Sequence, residues 1–201
     1  MIPVPTLSEE ELSGLKDSFD SMLRATYREG VEELIAWLET ETDFYRAPAS
    51  ASKHGAVEGG LLLHSVSVCK YLRNFVKPLG EEIPDDSVVI SALLHDLCKA
   101  NFYTKRVKNV KVAPKQWEEQ EYFAIEDQLP LGHGEKSAML ALRFLELTDD
   151  ELMAIRWHMG GYDDAARAYA GGMAQANAFD KSKLAVALNV ADMYVSHIIG
   201  H

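Results

Sequence analysis

Six histidine and aspartate residues with the chemistry of metal ligands are spread along the sequence. They are His64, His95, Asp96, His133, His158 and Asp192. Neutral imidazole and carboxylate are ligands that suit zinc, iron, manganese or nickel, and six of them are more than one ion needs. Five of the seven helices that we predict carry one of these residues near an end. The sequence therefore predicts a metal centre to which several helices contribute.

The adjacent pair His95-Asp96 is the most specific of these features. A single histidine in an apolar helix is more often a core or surface residue than a ligand, and this reading applies to His64 and His158 taken alone. Two neighbours in a helix lie about 100° apart. His95 and Asp96 can therefore share one site if the end of their helix points at it, and the carboxylate can then bridge two ions.

Seven helices are predicted from apolar residues at helical spacing and from end signals. Ser8 with Glu11 and Thr148 with Glu151 form capping boxes, and Asp85 and Asp180 are expected to cap two further helices. The predicted helices cover residues 8–28, 31–38, 61–76, 85–98, 134–147, 148–158 and 180–199. Residues 41–60 are rich in small and turn-forming residues and predict a loop. The expected fold class is all-α, a helical bundle with a small β-hairpin insertion.

The insertion is expected at about residues 102–127, where apolar and charged residues alternate in two halves separated by Ala113-Pro114. The basic residues of its first half are Lys105, Arg106, Lys108, Lys111 and Lys115. Acidic residues follow in the second half. Cross-strand ion pairing on a solvated ribbon explains this arrangement. The alternative is a lid whose basic strand attracts an anionic substrate.

Composition favours a globular protein. The chain has 201 residues, of which 47% are hydrophobic, and we expect a single domain over residues 1–201 with N-terminal helices at 1–43 and a core at 44–199. Neither a signal peptide nor an apolar run near the roughly 18 residues of a membrane span is evident. We therefore expect a cytoplasmic protein that does not bind membranes.

The net charge limits the classes of partner that we expect, and the cysteine spacing argues against a disulfide. The net charge of -11 opposes binding to duplex DNA, because it repels phosphate at long range. A phosphate-bearing substrate must then be held by local positive charge, which metal ions supply. Cys69 and Cys98 have no paired spacing and are expected to be buried free thiols.

The order of the six residues resembles that of the HD-domain metal-dependent phosphohydrolase superfamily, and the likeness covers about residues 44–195. Residues 59–65 are similar to the family's first histidine motif, and residues 93–99 to its central His-Asp motif. Residues 131–135 and 156–161 supply the extra histidines of dinuclear members. Residues 191–193 match the final aspartate motif.

The resemblance implies an HD-domain bundle with two divalent ions, drawn from Fe, Mn, Zn, Ni, Co or Mg. In one division of the ligands, the first ion takes His64, His95, Asp96 and Asp192, and the second takes Asp96, His133 and His158. The implied activity is hydrolysis of a phosphate mono- or diester, in the first place a nucleotide, by a hydroxide that the metals activate. Short single-stranded nucleic acid is a second substrate class.

Asp96, Lys99 and His54 are the predicted catalytic residues. Lys99 lies one turn beyond Asp96, so its ammonium can bind a phosphate oxygen; the alternative is a cation that stabilises a helix C-terminus. The resemblance implies that His54 contacts the substrate. Further predicted substrate-binding residues, each equally explained by packing or surface roles, are Arg46, Tyr103 and Tyr162. His197 and His201 have no predicted role.

Two other function classes stay open. A few relatives in the superfamily use the same ligands in a diiron oxygenase, which would consume oxygen in an iron-dependent reaction. A non-catalytic nucleotide-binding module is the third class, but a complete ligand set argues against it. Neither the substrate nor the oligomeric state follows from the sequence.

Overall fold

Eight α-helices and one β-hairpin form the part of the chain that the computed structural model describes, residues 1–200 without the side chains of 80–82. In chain order they are α1 (Glu9–Arg24), α2 (Val31–Thr40), α3 (Gly60–Val76), α4 (Asp85–Leu94), β1 (Tyr103–Ala113), β2 (Gln116–Ile125), α5 (His133–Ala141), α6 (Asp149–Trp157), α7 (Tyr169–Lys181) and α8 (Lys183–Tyr194). His201 lies outside the described residues. The predicted class, an all-α bundle with a small hairpin, is confirmed.

Helix α4 is the centre of the bundle. Its residues from Ser87 to Leu94 are all buried, and it packs against α1, α3, α5, α6 and α8. Burial on every face explains why its sequence is apolar all round instead of along one stripe. Each fully buried side chain such as Ile90 or Leu93 stabilises the fold by about 1.5–3 kcal/mol. The helix that His95 follows is thus buried along most of its length.

Both predicted capping boxes are present. The Ser8 side chain accepts the backbone N–H of Glu11, the Thr148 side chain accepts that of Glu151, and each glutamate reaches back to the cap residue. Gly59 precedes α3 with φ +87°, a conformation in which a side chain is strained. The sharp entry that this glycine allows sets the direction of α3 and hence the position of His64.

The C-terminal part of the sequence prediction was wrong. Asp180 does not cap the last helix but lies inside α7, and Ser182 caps α8 by accepting the N–H of Ala185 at 3.2 Å. Helix α7 was not predicted because its alanine- and glycine-rich sequence carries no apolar period. The last helix also does not run to Ile199, since α8 ends at Tyr194 and a π-helical turn, Val195–Ile199, follows.

Three further helices also differ from the prediction at their ends. Helix α1 stops at Arg24 rather than residue 28, because Tyr27 takes φ +54°. Helix α4 begins after Pro84, so that Asp85 is its first residue and not its cap, and it ends at Leu94 instead of residue 98. Helix α5 covers only nine residues, His133–Ala141.

The hairpin lies where the sequence predicts it. Strands β1 and β2 pair antiparallel, from Tyr103 opposite Ile125 to Ala113 opposite Gln116. The N-terminal segment adds a short bridge on the other side of β2, since Ile2 N–H donates to Glu119 O at 2.7 Å. No helix within residues 1–200 has the length and apolar character to cross a membrane.

A buried ion pair joins the α1–α2 connection to α4 and α6. Arg28 contacts Glu151, whose side chain is fully buried, and donates to Asp86 Oδ2 at 2.8 Å. Arg28→Met should lower the free energy of unfolding by about 3 kcal/mol, because it leaves the Glu151 carboxylate buried and unpaired. Urea denaturation measures the change.

The control for this prediction is Arg24→Met. Arg24 pairs with Glu32, but both side chains are about half exposed or more, so water replaces the lost partner and the change should be far smaller. Equal losses in the two variants would contradict the special role of the buried pair.

Candidate metal centre

The ends of five helices meet at one place and bring all six predicted ligands together. His64 lies in the second turn of α3, His133 begins α5 and His158 follows α6 directly. His95 and Asp96 follow the last residue of α4, and Asp192 lies in the last turn of α8. Ligand atoms of these residues form three overlapping groups, each within 4.8 Å, that could hold a metal ion: His64, His95 and Asp96; His95, His158 and Asp192; and Asp96, His133 and His158.

The two oxygens of Asp96 face different histidines. Oδ1 lies 2.8 Å from His133 Nε2 and 3.6 Å from His158 Nε2. Oδ2 lies 3.5 Å from His64 Nε2 and 3.4 Å from His95 Nε2. The carboxylate therefore stands between two ligand groups, the arrangement that a bridge between two ions requires.

Asp192 belongs with the His64 side of the centre. Its Oδ1 lies 3.1 Å from His64 Nε2 and 3.9 Å from His95 Nε2. The Nε2 atoms of these two histidines are themselves only 3.2 Å apart. Two imidazole nitrogens and two carboxylates thus converge on a small volume.

Backbone carbonyls set the tautomer of two histidines. His95 Nδ1 lies 2.7 Å from Ala92 O, and His158 Nδ1 lies 2.7 Å from Ile155 O. A carbonyl can only accept, so Nδ1 carries the hydrogen in both rings and Nε2 keeps its lone pair. This is the form that binds a metal, held by the kind of partner that metal-ligating histidines usually have.

His158 provides the test of whether a metal fits. Its Nε2 atom is buried and has no hydrogen-bond partner among the described residues; the Asp96 oxygen at 3.6 Å is too distant to be one. A buried lone pair without a donor costs free energy, and a cation at this point would satisfy it. The donor set, imidazole and carboxylate, suits a divalent transition metal.

Glycine and asparagine hold His158 in place. Gly160 takes φ +55° and ends the turn after α6. A Cβ atom at residue 160 would lie 2.6 Å from Nδ2 of Asn189, which donates to His158 O at 2.6 Å. The absence of a side chain at Gly160 therefore lets α8 cap the end of α6.

The charges at the centre favour cation binding. Burial would raise the pKa of Asp96, yet the ammonium of Lys99 and the surrounding histidines hold it well below its ordinary value. Burial lowers the pKa of both His64 and His133, so these rings are neutral. Ionised carboxylate and neutral imidazole are the protonation states that metal ligands need.

A cleft of about 240 Å³ opens over the ligands, and it contains several of the predicted substrate residues. Lys99, His54, Tyr103, Tyr162 and Met159 all line it. Lys99 also donates to Asp96 Oδ2 at 2.7 Å. The structure therefore places these residues in one cleft beside the clustered histidines and aspartates, while their roles toward a substrate remain predictions.

Arg46 and the basic strand of the hairpin do not line this cleft. Arg46 forms ion pairs with Glu9 and Glu58. Lys105 pairs with Glu58 at 2.6 Å, and Arg106 pairs with Glu126 at 3.2 Å. Arg106 thus pairs with the segment that follows β2, whereas the partner of Lys105 lies in the loop before α3 and not across the hairpin. The choice between a solvated ribbon and a lid stays a prediction.

The cleft residues without a predicted role in the sequence analysis include Ser50, Lys53, Met193 and Ser196. His197, for which no role was predicted, lines the cleft as well. Ser196 follows Asp192 by four positions, which is the spacing of neighbours on one helix face. That spacing was the one available signal for Ser196.

Both cysteines are buried and free, as predicted. Cys98 packs against His133, with Sγ 3.3 Å from Nδ1 and 3.6 Å from Nε2. Nearly equal distances to both nitrogens place the sulfur across the ring rather than in line with an N–H bond. Cys98 also lines a second cavity of about 350 Å³, which shares His133, Met159 and Tyr162 with the cleft.

Comparisons with known proteins agree with this geometry. A dihydroneopterin 2',3'-cyclic phosphate phosphodiesterase of Methanocaldococcus jannaschii is 34% identical over 73 residues, which cover 34% of this chain and 29% of the relative. The match thus spans less than a third of that relative's length. No solved structure matches the chain significantly. Residues 61–195, more than half of the chain and inclusive of all six clustered residues, match the HD domain family, and the chain therefore belongs to that family.

Proposed function

We propose that the chain is a metal-dependent phosphohydrolase that cleaves a phosphate mono- or diester of a small molecule, with a nucleotide as the first candidate. The observation that carries the proposal is the position of Asp96. Its two oxygens face two separate histidine groups, and a cleft of about 240 Å³ opens over them.

We propose two ions and divide the ligands between them as in the sequence analysis. His64, His95, Asp96 and Asp192 would hold one ion, and Asp96, His133 and His158 the other. When bound, such ions activate water as a nucleophile and neutralise charge on a transferring phosphoryl group. Iron, manganese, zinc, nickel, cobalt and magnesium all remain candidates, and the donor set favours the transition metals.

Lys99 supplies a fixed positive charge beside the proposed centre. Burial disfavours its ammonium form, but Asp96 raises the pKa of Lys99 above its ordinary value, so the side chain stays charged. It lines the cleft and is only 12% exposed. A charged, partly desolvated donor at this point can hold a phosphate oxygen and stabilise the charge that develops in the transition state.

His54 is a neutral polar group on the opposite part of the cleft. Burial is the main cause that lowers the pKa of His54, to about 4. The ring at neutral pH is therefore an imidazole with one donor and one acceptor. Tyr103 adds a phenol whose pKa burial raises to about 12, so it stays protonated and can donate to a substrate oxygen.

The dimensions of the site support a small substrate. The cleft and the adjoining cavity together fall in the size range of small-molecule pockets. The matched relative is named for a small cyclic phosphodiester substrate. The net charge of -11 disfavours duplex nucleic acid. A small phosphate ester fits these observations better than a polymer.

Metal counting tests the dinuclear part of the proposal. Protein purified anaerobically without chelator should contain about two ions per chain, measured by elemental analysis. His133→Ala and His158→Ala should each lower the affinity for one ion by at least about 10–100-fold, so that its occupancy falls. The other ion should be largely retained. Chelation should also lower Tm, because ions that bind only the folded state stabilise it.

The matched control for metal counting is His197→Ala. His197 lines the cleft but lies outside the three ligand groups, so its loss should leave the metal content unchanged. A single ion per chain, unaffected by loss of His133 or His158, would contradict the dinuclear centre but leave a one-metal hydrolase.

Turnover tests the activity itself. We expect Mn²⁺- or Fe²⁺-loaded protein to hydrolyse at least one member of a panel of nucleotides, cyclic nucleotides, cyclic dinucleotides and short oligonucleotides. Asp96→Ala should abolish turnover and reduce bound metal, since no neighbouring group replaces a carboxylate between two ligand groups. Lys99→Met should retain the metal but lower kcat by about 10²–10³-fold, the usual loss for one charge-stabilising donor.

Circular dichroism provides the folding control for both variants. Substantial turnover by Asp96→Ala would overturn the assignment. A Lys99→Met variant with full kcat and only a lowered Tm would mean that Lys99 merely stabilises its helix end. Iron-dependent oxygen consumption without phosphate release would replace the hydrolase proposal by the oxygenase alternative.

A further inference from the structure

The chain changes its helical geometry directly after Asp192. Helix α8 ends at Tyr194, and Val195–Ile199 form a π-helical turn in which Gly200 N–H donates to Val195 O at 3.0 Å. In a regular α-helix the residue five positions after Asp192 would lie about 140° around the axis from it. Ser196 and His197 lie at the start of the π-helical turn, and both line the cleft that Asp192 lines. Turns of this kind are rare and are frequently found at functional sites.

Ser196 connects Asp192 to His54. Its Oγ lies 3.2 Å from Asp192 Oδ1 and 3.2 Å from His54 Nε2. His54 itself lies in the loop between α2 and α3, where its carbonyl accepts the Ser50 hydroxyl at 2.8 Å. The hydroxyl of Ser196 is therefore the contact that ties the ring of a loop residue to a helix carrying one of the clustered aspartates.

Counting hydrogens decides the direction of both bonds. An ionised carboxylate can only accept, and the Ser196 hydroxyl has one hydrogen. If that hydrogen goes to Asp192, the remaining bond to His54 is satisfied only when Nε2–H donates to the Ser196 oxygen. The lone pair of the His54 ring then resides on Nδ1. If the Ser196 hydrogen pointed at His54 instead, no hydrogen would lie between Asp192 Oδ1 and Ser196 Oγ, and two acceptor oxygens would face each other.

We propose that Ser196 is a positioning residue that holds His54 in its Nε2–H form and fixes the ring in the cleft beside the metal ligands. Ser196 itself touches no reacting atom in this account. Its effect on turnover rests on the proposed hydrolase function, whereas its effect on the tautomer of His54 does not. The rings of His64 and His197 are neighbours of His54, with centroids 5.6 Å and 6.3 Å away.

Nitrogen NMR tests the tautomer without reference to activity. In ¹⁵N-histidine-labelled protein loaded with diamagnetic Zn²⁺, His54 signals are assigned by comparison with His54→Gln. The wild type and Ser196→Thr, which keeps the hydroxyl, should show His54 predominantly as the Nε2–H form. Ser196→Ala should shift the ring toward the Nδ1–H form or a mixture. An unchanged tautomer in Ser196→Ala would overturn the proposal even if the protein proves to be a hydrolase.

Kinetics test whether Ser196 acts through His54. Ser196→Ala should lower kcat by about 10–100-fold with a smaller change in KM, and Ser196→Thr should restore most of it. In a His54→Gln background the same substitution should have no further effect. An additional loss there, or a fall in metal content in Ser196→Ala, would show that Ser196 acts through Asp192 and would overturn the proposal.

Val190→Ala is the matched control for these measurements. Val190 lies on α8, is 48% exposed and does not line the cleft. Its replacement should leave the His54 tautomer, metal content and kcat unchanged. If no substrate is found, the kinetic measurements cannot be made, and that result counts against the proposed function. The NMR measurement needs no substrate and would still decide the role of Ser196.

Discussion

The carboxylate of Asp96 is the group on which the arrangement of this end of the bundle depends. It is only 2% exposed, and a buried negative charge persists only when it is paired. Lys99 and the surrounding imidazoles supply that pairing. Because Oδ1 and Oδ2 face opposite sides, histidines from three further helices must approach from both directions. The convergence of the helix ends follows from the need to surround one charge.

The helix ends also supply the orientation of the ligands. His95 and His158 follow their helices directly, and each ring reaches back to the carbonyl three residues earlier. These carbonyls belong to the last turn of a helix and lack intrahelical partners. One bond therefore satisfies the helix end and fixes the tautomer of the ligand. His133, which begins α5 instead, cannot use this device and packs against Cys98.

Several features of the site could be predicted from the sequence because they depend on local chemistry. Residue type marks His64, His95, Asp96 and the other clustered residues as candidate metal ligands, and the adjacent pair marks the end of α4. Capping boxes fix where α1 and α6 begin. By contrast, α7 carries no apolar period, and Ala178 is its one buried residue among those that the structure describes, although the helix contacts α6 and α8. A prediction from periodicity alone therefore misses it.

By itself, the sequence determined the donor set, the all-α class and the place of the hairpin, since residue chemistry and short-range periodicity suffice for each. Tertiary structure alone decided which oxygen of Asp96 faces which histidine, and that Arg46 pairs with Glu9 instead of entering the cleft. It also decided the contact between Ser196 and His54, residues 142 positions apart. Such contacts depend on how helices pack and on the geometry of one widened turn, and neither leaves a repeating pattern in the chain.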